Sequence, residues 1–215
     1  MPESSLFRPT DYPNQLGLLS VSAQQVYEQA RTIRLSFLNV HNWQVERGIR
    51  FPEFIKAFYN YIYRNHRLPT QEEYYQFYLN VNRDFFSQNF FGQDIYTGLK
   101  ARVFRTYPSL VRDIYFNKLL EENNRGYEIV YNINLDLVRD IDTMLINNGR
   151  FWAACLYIQT RRANVARRWK EDRHVRFDNV NYVEFPVSFN DRHKVGDFFL
   201  YGANEIQTLF NYIER

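Results

Sequence analysis

Apolar residues recur at alternating spacings of four and three from Val26 through Ala30, Ile33 and Phe37 to Val40, which is one stripe of a helix. Ser22 with Gln25 three residues on forms a capping box, and Gly48 is the residue type that closes a helix. The pattern therefore predicts a first helix between them. Pro52 suits the first turn of a second helix, whose face of Phe54, Ile55, Phe58, Tyr59 and Ile62 runs to about Asn65. Thr70 and Glu73 cap a third, carrying Tyr74, Phe77, Tyr78 and Val81. The stretch Phe85 to Gly92 breaks the period, and a short helix is expected from Asp94 to Phe104. Ahead of all this, residues 1–21 hold Pro2, Pro9 and Pro13 and no helical period, so they read as an irregular arm.

The pattern changes at Pro108. Leu110, Val111, Ile114, Tyr115 and Leu119 predict a helix over Ser109–Asn123, after which strand-forming residues dominate. Expected strands are Tyr127–Ile133, Leu137–Ile146, Phe151–Thr160, Tyr182–Phe189 and Asp197–Tyr201. Asn147-Asn148-Gly149 is a hairpin signal between the second and third, and Phe151–Thr160 is apolar enough for a central strand. A basic helix over Arg162–Arg173 and a closing helix over Asn204–Ile213 complete the order. The expected class is α+β: an arm (1–21), a helical region (22–105), and a small mixed-sheet core (106–215) in the order αβββαβ.

Charge sharpens this picture. The chain carries a formal +3, but Arg150 to Arg176 holds eight Lys or Arg against two Asp or Glu, so the remainder is net acidic. A cationic block of that density suits a phosphate backbone. Arg162, Arg167, Arg168, Lys170 and Arg173 are the expected nucleic-acid contacts, with Trp169 among them; the alternative is a solvated face paired with Glu171 and Asp172. A helix-turn-helix is the other way to meet DNA, and the helix at Gln71–Asn82 argues against it, with two glutamates and no Lys or Arg. That helical region is read instead as a support or a protein-docking surface. The aromatic share, 19 Phe, 17 Tyr and 3 Trp, is read as packing and interface.

Other chemistry is thin. There is no GxxxxGK[ST], GxGxxG, CxxC or HExxH motif, and His41, His66, His174 and His193 are scattered. The single Cys155 lies in an apolar run, reads as a small buried hydrophobe, and fits a reducing compartment. No apolar run is long enough to span a bilayer and no secretory leader is evident, so a cytoplasmic protein without membrane association is expected. Oligomeric state is left open.

The element order from Ser109 onward, with Asp140-Ile141-Asp142 on the second expected strand and Gln159-Thr160-Arg161 about 17 residues later on the third, resembles the core of the PD-(D/E)XK, or restriction-endonuclease-like, superfamily. The resemblance covers residues 108–190. It implies a metal-dependent DNA endonuclease with Asp142, Gln159 and Arg161 as catalytic residues and Mg²⁺ held by Asp142, Asp140 and a helix carboxylate, Glu121 or Glu122. Hard cations take oxygen ligands and activate water for phosphodiester cleavage, and a nearby cation steadies the developing charge. Strand alternation would put Asp140 and Asp142 on one face. This chain departs from the pattern in having Gln159 for Glu, which removes a charge from the cage, and Arg161 for Lys, a guanidinium that rarely gives up its proton. Catalysis is thus left open, beside the alternative of a catalytically inactive nucleic-acid-binding or protein-interaction subunit of a larger complex.

Overall fold

The computed structural model describes residues 6–158 and 176–214. It divides the chain into two compact units, a helical one of Leu19–Ile114 with Lys194–Phe199, and an α/β one of Met1–Leu18, Tyr115–His193 and Leu200–Arg215. No helix among the described residues is long and apolar enough to cross a membrane.

In the helical unit the expected caps are in place. Ser22 and Gln25 close a reciprocal box on α1 (Ala23–Thr32), and Thr70 and Glu73 do the same on α3 (Gln71–Val81). Arg67 bonds both carboxylate oxygens of Glu73 and holds its pKa down to about 2. Between these lies α2 (Phe54–Asn65), which ends on His66 in the left-handed conformation. After α3 come α4 (Arg83–Gln88) and α5 (Gln93–Glu122). The aromatic residues build the core: Phe58 meets Tyr74 and Tyr107 edge-on at 5.4 and 5.9 Å, and all three are fully buried. Their burial favours the fold by about 2 to 3 kcal/mol each. The polar tips are satisfied, since the Tyr74 hydroxyl donates to Phe54 O (2.8 Å), that of Tyr78 to Pro52 O (2.9 Å), and that of Tyr107 to Pro69 O. Burial pushes the Tyr74 and Tyr107 phenols well up, and that of Tyr75 to about 12.

Two expectations for this unit are corrected. The first helix stops at Thr32 instead of running to Gly48. The amides of Leu35 and Ser36 are taken by the side chains of Asp197 (2.9 Å) and Gln71 (2.6 Å), and these tertiary bonds replace helical ones. Nor does Pro108 start a helix, because α5 runs straight through it. Proline lacks the N–H that would bond the carbonyl four residues back, that of Phe104. The buried Gln71 amide donates to that carbonyl at 2.9 Å, so the continuous helix leaves it satisfied.

The α/β unit is a four-stranded mixed sheet in the order β1 (Glu128–Val130), β2 (Thr143–Asn147), β3 (Arg150–Ile158), β4 (Val180–Val187). The first two pairings are antiparallel, with Val130 opposite Met144 and Met144 opposite Ala153; β3 and β4 are parallel, with Ala153 beside Tyr182. Asn148 and Gly149, both at positive φ, make the β2–β3 turn that the sequence predicts. One face packs Val130, Met144, Ala153 and Val180 under Phe7, Leu135, Ile141 and Phe177. On the other, Tyr127 lies between Trp152 and Phe210 of α7 (Ala203–Ile213).

The arm is held by hydrogen bonds over its described residues, from Leu6 on. Phe7 exchanges backbone bonds with the Asn179 side chain (2.7 and 3.0 Å), and Gln15 N–H donates to Tyr131 O at 2.8 Å. Lys118, buried in this unit, donates from Nζ to Leu16 O (2.9 Å) and pairs with Glu121 (3.0 Å).

The expected strand Leu137–Ile146 is corrected most. Ile133–Arg139 is a helix, α6, capped by the Asn132 side chain on Asn134 N–H (2.9 Å). Asp140 stands at its end in the left-handed conformation, and Ile141 N–H reaches back to Leu135 O at 3.2 Å. The strand begins only at Thr143. The expected fifth strand, Asp197–Tyr201, is instead half of a minimal hairpin, β5 (Lys194–Val195) with β6 (Phe198–Phe199), which belongs to the helical unit.

Candidate functional site

The end of the sheet where β2 begins and β3 ends brings together the carboxylates of the candidate site. Asp142 is the last residue before β2. Its N–H donates to Ala154 O (3.2 Å), and its own carbonyl receives the Asn117 amide from α5 at 3.4 Å. Beyond the last β2–β3 pair, Leu156 has an N–H that no β2 carbonyl can reach. Oδ2 of Asp142 accepts it at 2.6 Å. A bond that short to an ionised acceptor is of the charge-assisted kind, roughly twice as strong as a neutral one. The side chain thus extends the ladder by one rung.

Glu184 stands beside Cys155 in the parallel β3–β4 register. Desolvation, with Asp142, Glu184 and Asp140 adding negative potential, pushes the Cys155 thiol well above its ordinary range. Glu184 is paired with Arg176 at 2.8 Å, and the Arg176 guanidinium lies 4.7 Å from the centre of the Tyr182 ring. Tyr182 in turn accepts the Phe177 N–H at 2.9 Å. A row of acid, thiol and acid crosses the sheet, and Arg176 pairs with the acid at its β4 end.

Of the residues expected at the site, Asp140 and Asp142 both act on Cys155, though not from one strand face: Asp140 caps α6 and Asp142 precedes β2. Glu122 is placed elsewhere. It is exposed at the end of α5 and lines a cavity of about 430 Å³ with Arg125, Gly126 and Gln207. Gly126 leads into Glu128, which pairs with Ile146, the far end of β2 from Asp142. Gln159, Arg161, Arg162, Arg167, Arg168, Lys170 and Arg173 lie outside the described residues. Sequence reasoning missed Glu184 and Arg176. The available signal was a lone acid at an alternate position of the otherwise uncharged stretch Val180–Val187.

Among the described residues no group of three or more His, Cys, Asp or Glu side chains is set to hold a metal ion. A hard divalent cation needs several convergent oxygens, and the one carboxylate best placed by the motif, Asp142, is engaged with Leu156 N–H. The described residues by themselves do not fit a Mg²⁺ cage.

Asp142→Ala is expected to lower stability by about 2 kcal/mol, the cost of a backbone donor left without its acceptor, whereas Asp142→Asn retains an acceptor and should cost about half as much. Urea unfolding, with amide exchange at Leu156 as a local readout, checks the pair; equal stability of Asp142→Ala and the wild type would remove the structural role.

No family model, no curated protein and no solved structure matches this chain.

Proposed function

We propose that this chain binds nucleic acid, DNA in the first instance, through the arginine-rich segment that joins β3 to β4. The carrying observation is the eight Lys or Arg against two Asp or Glu from Arg150 to Arg176, in a chain otherwise net acidic. β3 and β4 are parallel, so the two ends joined by that segment, Ile158 and Val180, lie at opposite ends of the sheet. In this reading the core is restriction-endonuclease-like: the strand order, with two antiparallel pairings and one parallel, supports it, and α6 between β1 and β2 is an elaboration of it. The Asp142 bond to Leu156 N–H favours the binding form without cleavage.

Metal-dependent cleavage is the second reading, favoured by Asp140 and Asp142 both standing at the start of β2, with any further ligand to be supplied from outside the described residues. One assay separates the two. Duplex and single-stranded DNA are incubated with the full chain in Mg²⁺ or Mn²⁺, beside Asp142→Asn and the double variant Arg167→Glu/Arg168→Glu. The expected result is binding without cleavage, with affinity falling steeply in salt. The double variant should weaken binding at least tenfold and make the log–log salt slope shallower by about 2, one for each arginine–phosphate pair removed. Cleavage that Asp142→Asn abolishes would establish the second reading. Binding by the double variant equal to the wild type would remove both arginines from the interface.

A further inference from the structure

The helical unit holds a groove of about 560 Å³, within the size range of small-molecule sites, lined by the chain entering α2, the first turns of α2, the end of α3 and Phe85 of α4. Many charges of the unit are paired, Glu46 with Arg102 and Arg105, Glu72 with Lys100, Glu73 with Arg67, Asp197 with Arg34, and those of the groove are not. In the groove Arg50 and Lys56 have no ion-pair partner among the described residues, and neither has Glu53 on the same wall. Two unpaired cations beside an unpaired carboxylate are the complement of a ligand that carries an anion at one end and hydroxyl or amine donors at the other.

The remaining lining has the same character. The Asn60 side chain makes no hydrogen bond among the described residues, so its amide offers both a donor and an acceptor. Asn82 uses its Nδ2 on Tyr78 O (2.8 Å), which turns its oxygen into the acceptor it has to offer. Phe85, half-buried, packs against Phe86 and Phe91, with ring centres 5.3 and 5.9 Å away, and against Phe51, which also lines the groove, at 6.0 Å. A ring fixed in this way is a stacking surface for a planar group, and an asparagine amide reads the donor–acceptor edge of a base.

We propose that this groove binds a nucleoside phosphate: the phosphate at Arg50 and Lys56, the base against Phe85 and the asparagine amides, and sugar hydroxyls or an exocyclic amine donating to Glu53. The same chemistry is offered by a free nucleotide or by one unit of a single strand. The site does not depend on the arginine-rich segment, since every lining residue belongs to the helical unit.

The test is calorimetric titration of the full chain with AMP, with inorganic phosphate, and with a ten-nucleotide single-stranded RNA. AMP is expected to bind saturably and more tightly than phosphate. Arg50→Glu/Lys56→Glu should weaken AMP at least tenfold and Asn60→Ala several-fold, with urea midpoints unchanged because these side chains make no ion pair or hydrogen bond among the described residues. Arg167→Glu/Arg168→Glu should bind AMP as the wild type does, which keeps this site distinct from the proposed DNA contact. An RNA that displaces AMP and binds more tightly identifies a strand as the source, and one that fails to displace it identifies the free nucleotide. The proposal is overturned if phosphate binds as tightly as AMP, if AMP does not saturate, or if the Arg50/Lys56 variant retains wild-type affinity.

Discussion

Gln71→Leu is expected to cost the helical unit about 3 kcal/mol, because the leucine fills the space of the glutamine and satisfies none of its partners. Three bonds disappear: from Gln71 to Phe104 O, from Gln71 to Ser36 O (3.1 Å), and from Ser36 N–H to Gln71. Ser36 is exposed and can turn to water, so most of the penalty falls on the buried Phe104 carbonyl. That carbonyl needs a side-chain donor because residue 108 is a proline. The mechanism makes a sharper claim than the single variant does. In a Pro108→Ala background the backbone N–H returns, and the cost of Gln71→Leu should fall by about 1 to 2 kcal/mol, the value of one satisfied buried acceptor. Urea titration of the four proteins measures this coupling. Additive costs would mean that Gln71 and Pro108 do not share the Phe104 carbonyl.

The β5–β6 hairpin should be equally sensitive at its turn. Gly196 has φ +59°, and a Cβ there would lie 2.8 Å from Ala30 O and 3.0 Å from Arg31 O. Both are backbone atoms at the end of α1, which cannot swing aside as a side chain can. Gly196→Ala is therefore expected to cost about 3 kcal/mol, of which roughly 1 is the left-handed backbone and the rest the overlap. Asn tolerates the left-handed region but brings the same Cβ, so Gly196→Asn should recover only the smaller part. The readout is amide exchange at Leu35, whose N–H is held by Asp197 beside the turn. Faster exchange at Leu35 in both variants is the expected outcome. Wild-type protection in Gly196→Ala would show that the hairpin does not seat on α1 as closely as the geometry has it.

Legibility in the sequence followed the range of the interaction. Ser22 with Gln25 and Thr70 with Glu73 were readable as capping boxes, and Asn148-Gly149 as a turn, because every partner lies within three residues. The central strand was readable because its run Phe151–Ile158 carries no charged residue and pairs with a neighbour on each side. The helix Ile133–Arg139 was not, since its seven residues INLDLVR carry apolar side chains at spacings that serve a strand or a helix equally. Asn132 and the left-handed Asp140 settled it in favour of a helix, and so moved Asp140 off the strand face where the motif placed it.

By itself, then, the sequence determined where chain direction and burial change: the caps, the turn, the central strand, the apolar faces of α1, α2, α3 and α7, and the concentration of arginines between Arg150 and Arg176. The tertiary structure alone decided that α1 stops at Thr32, that α5 passes Pro108, and that Asp142 ends the β2–β3 ladder at Leu156. The physical reason is common to all three. Each turns on one or two backbone groups whose partner is a side chain distant in sequence, Asp197 and Gln71 for Leu35 and Ser36, Gln71 for Phe104, Asp142 for Leu156, and no local pattern of hydrophobic and polar residues records such a pairing.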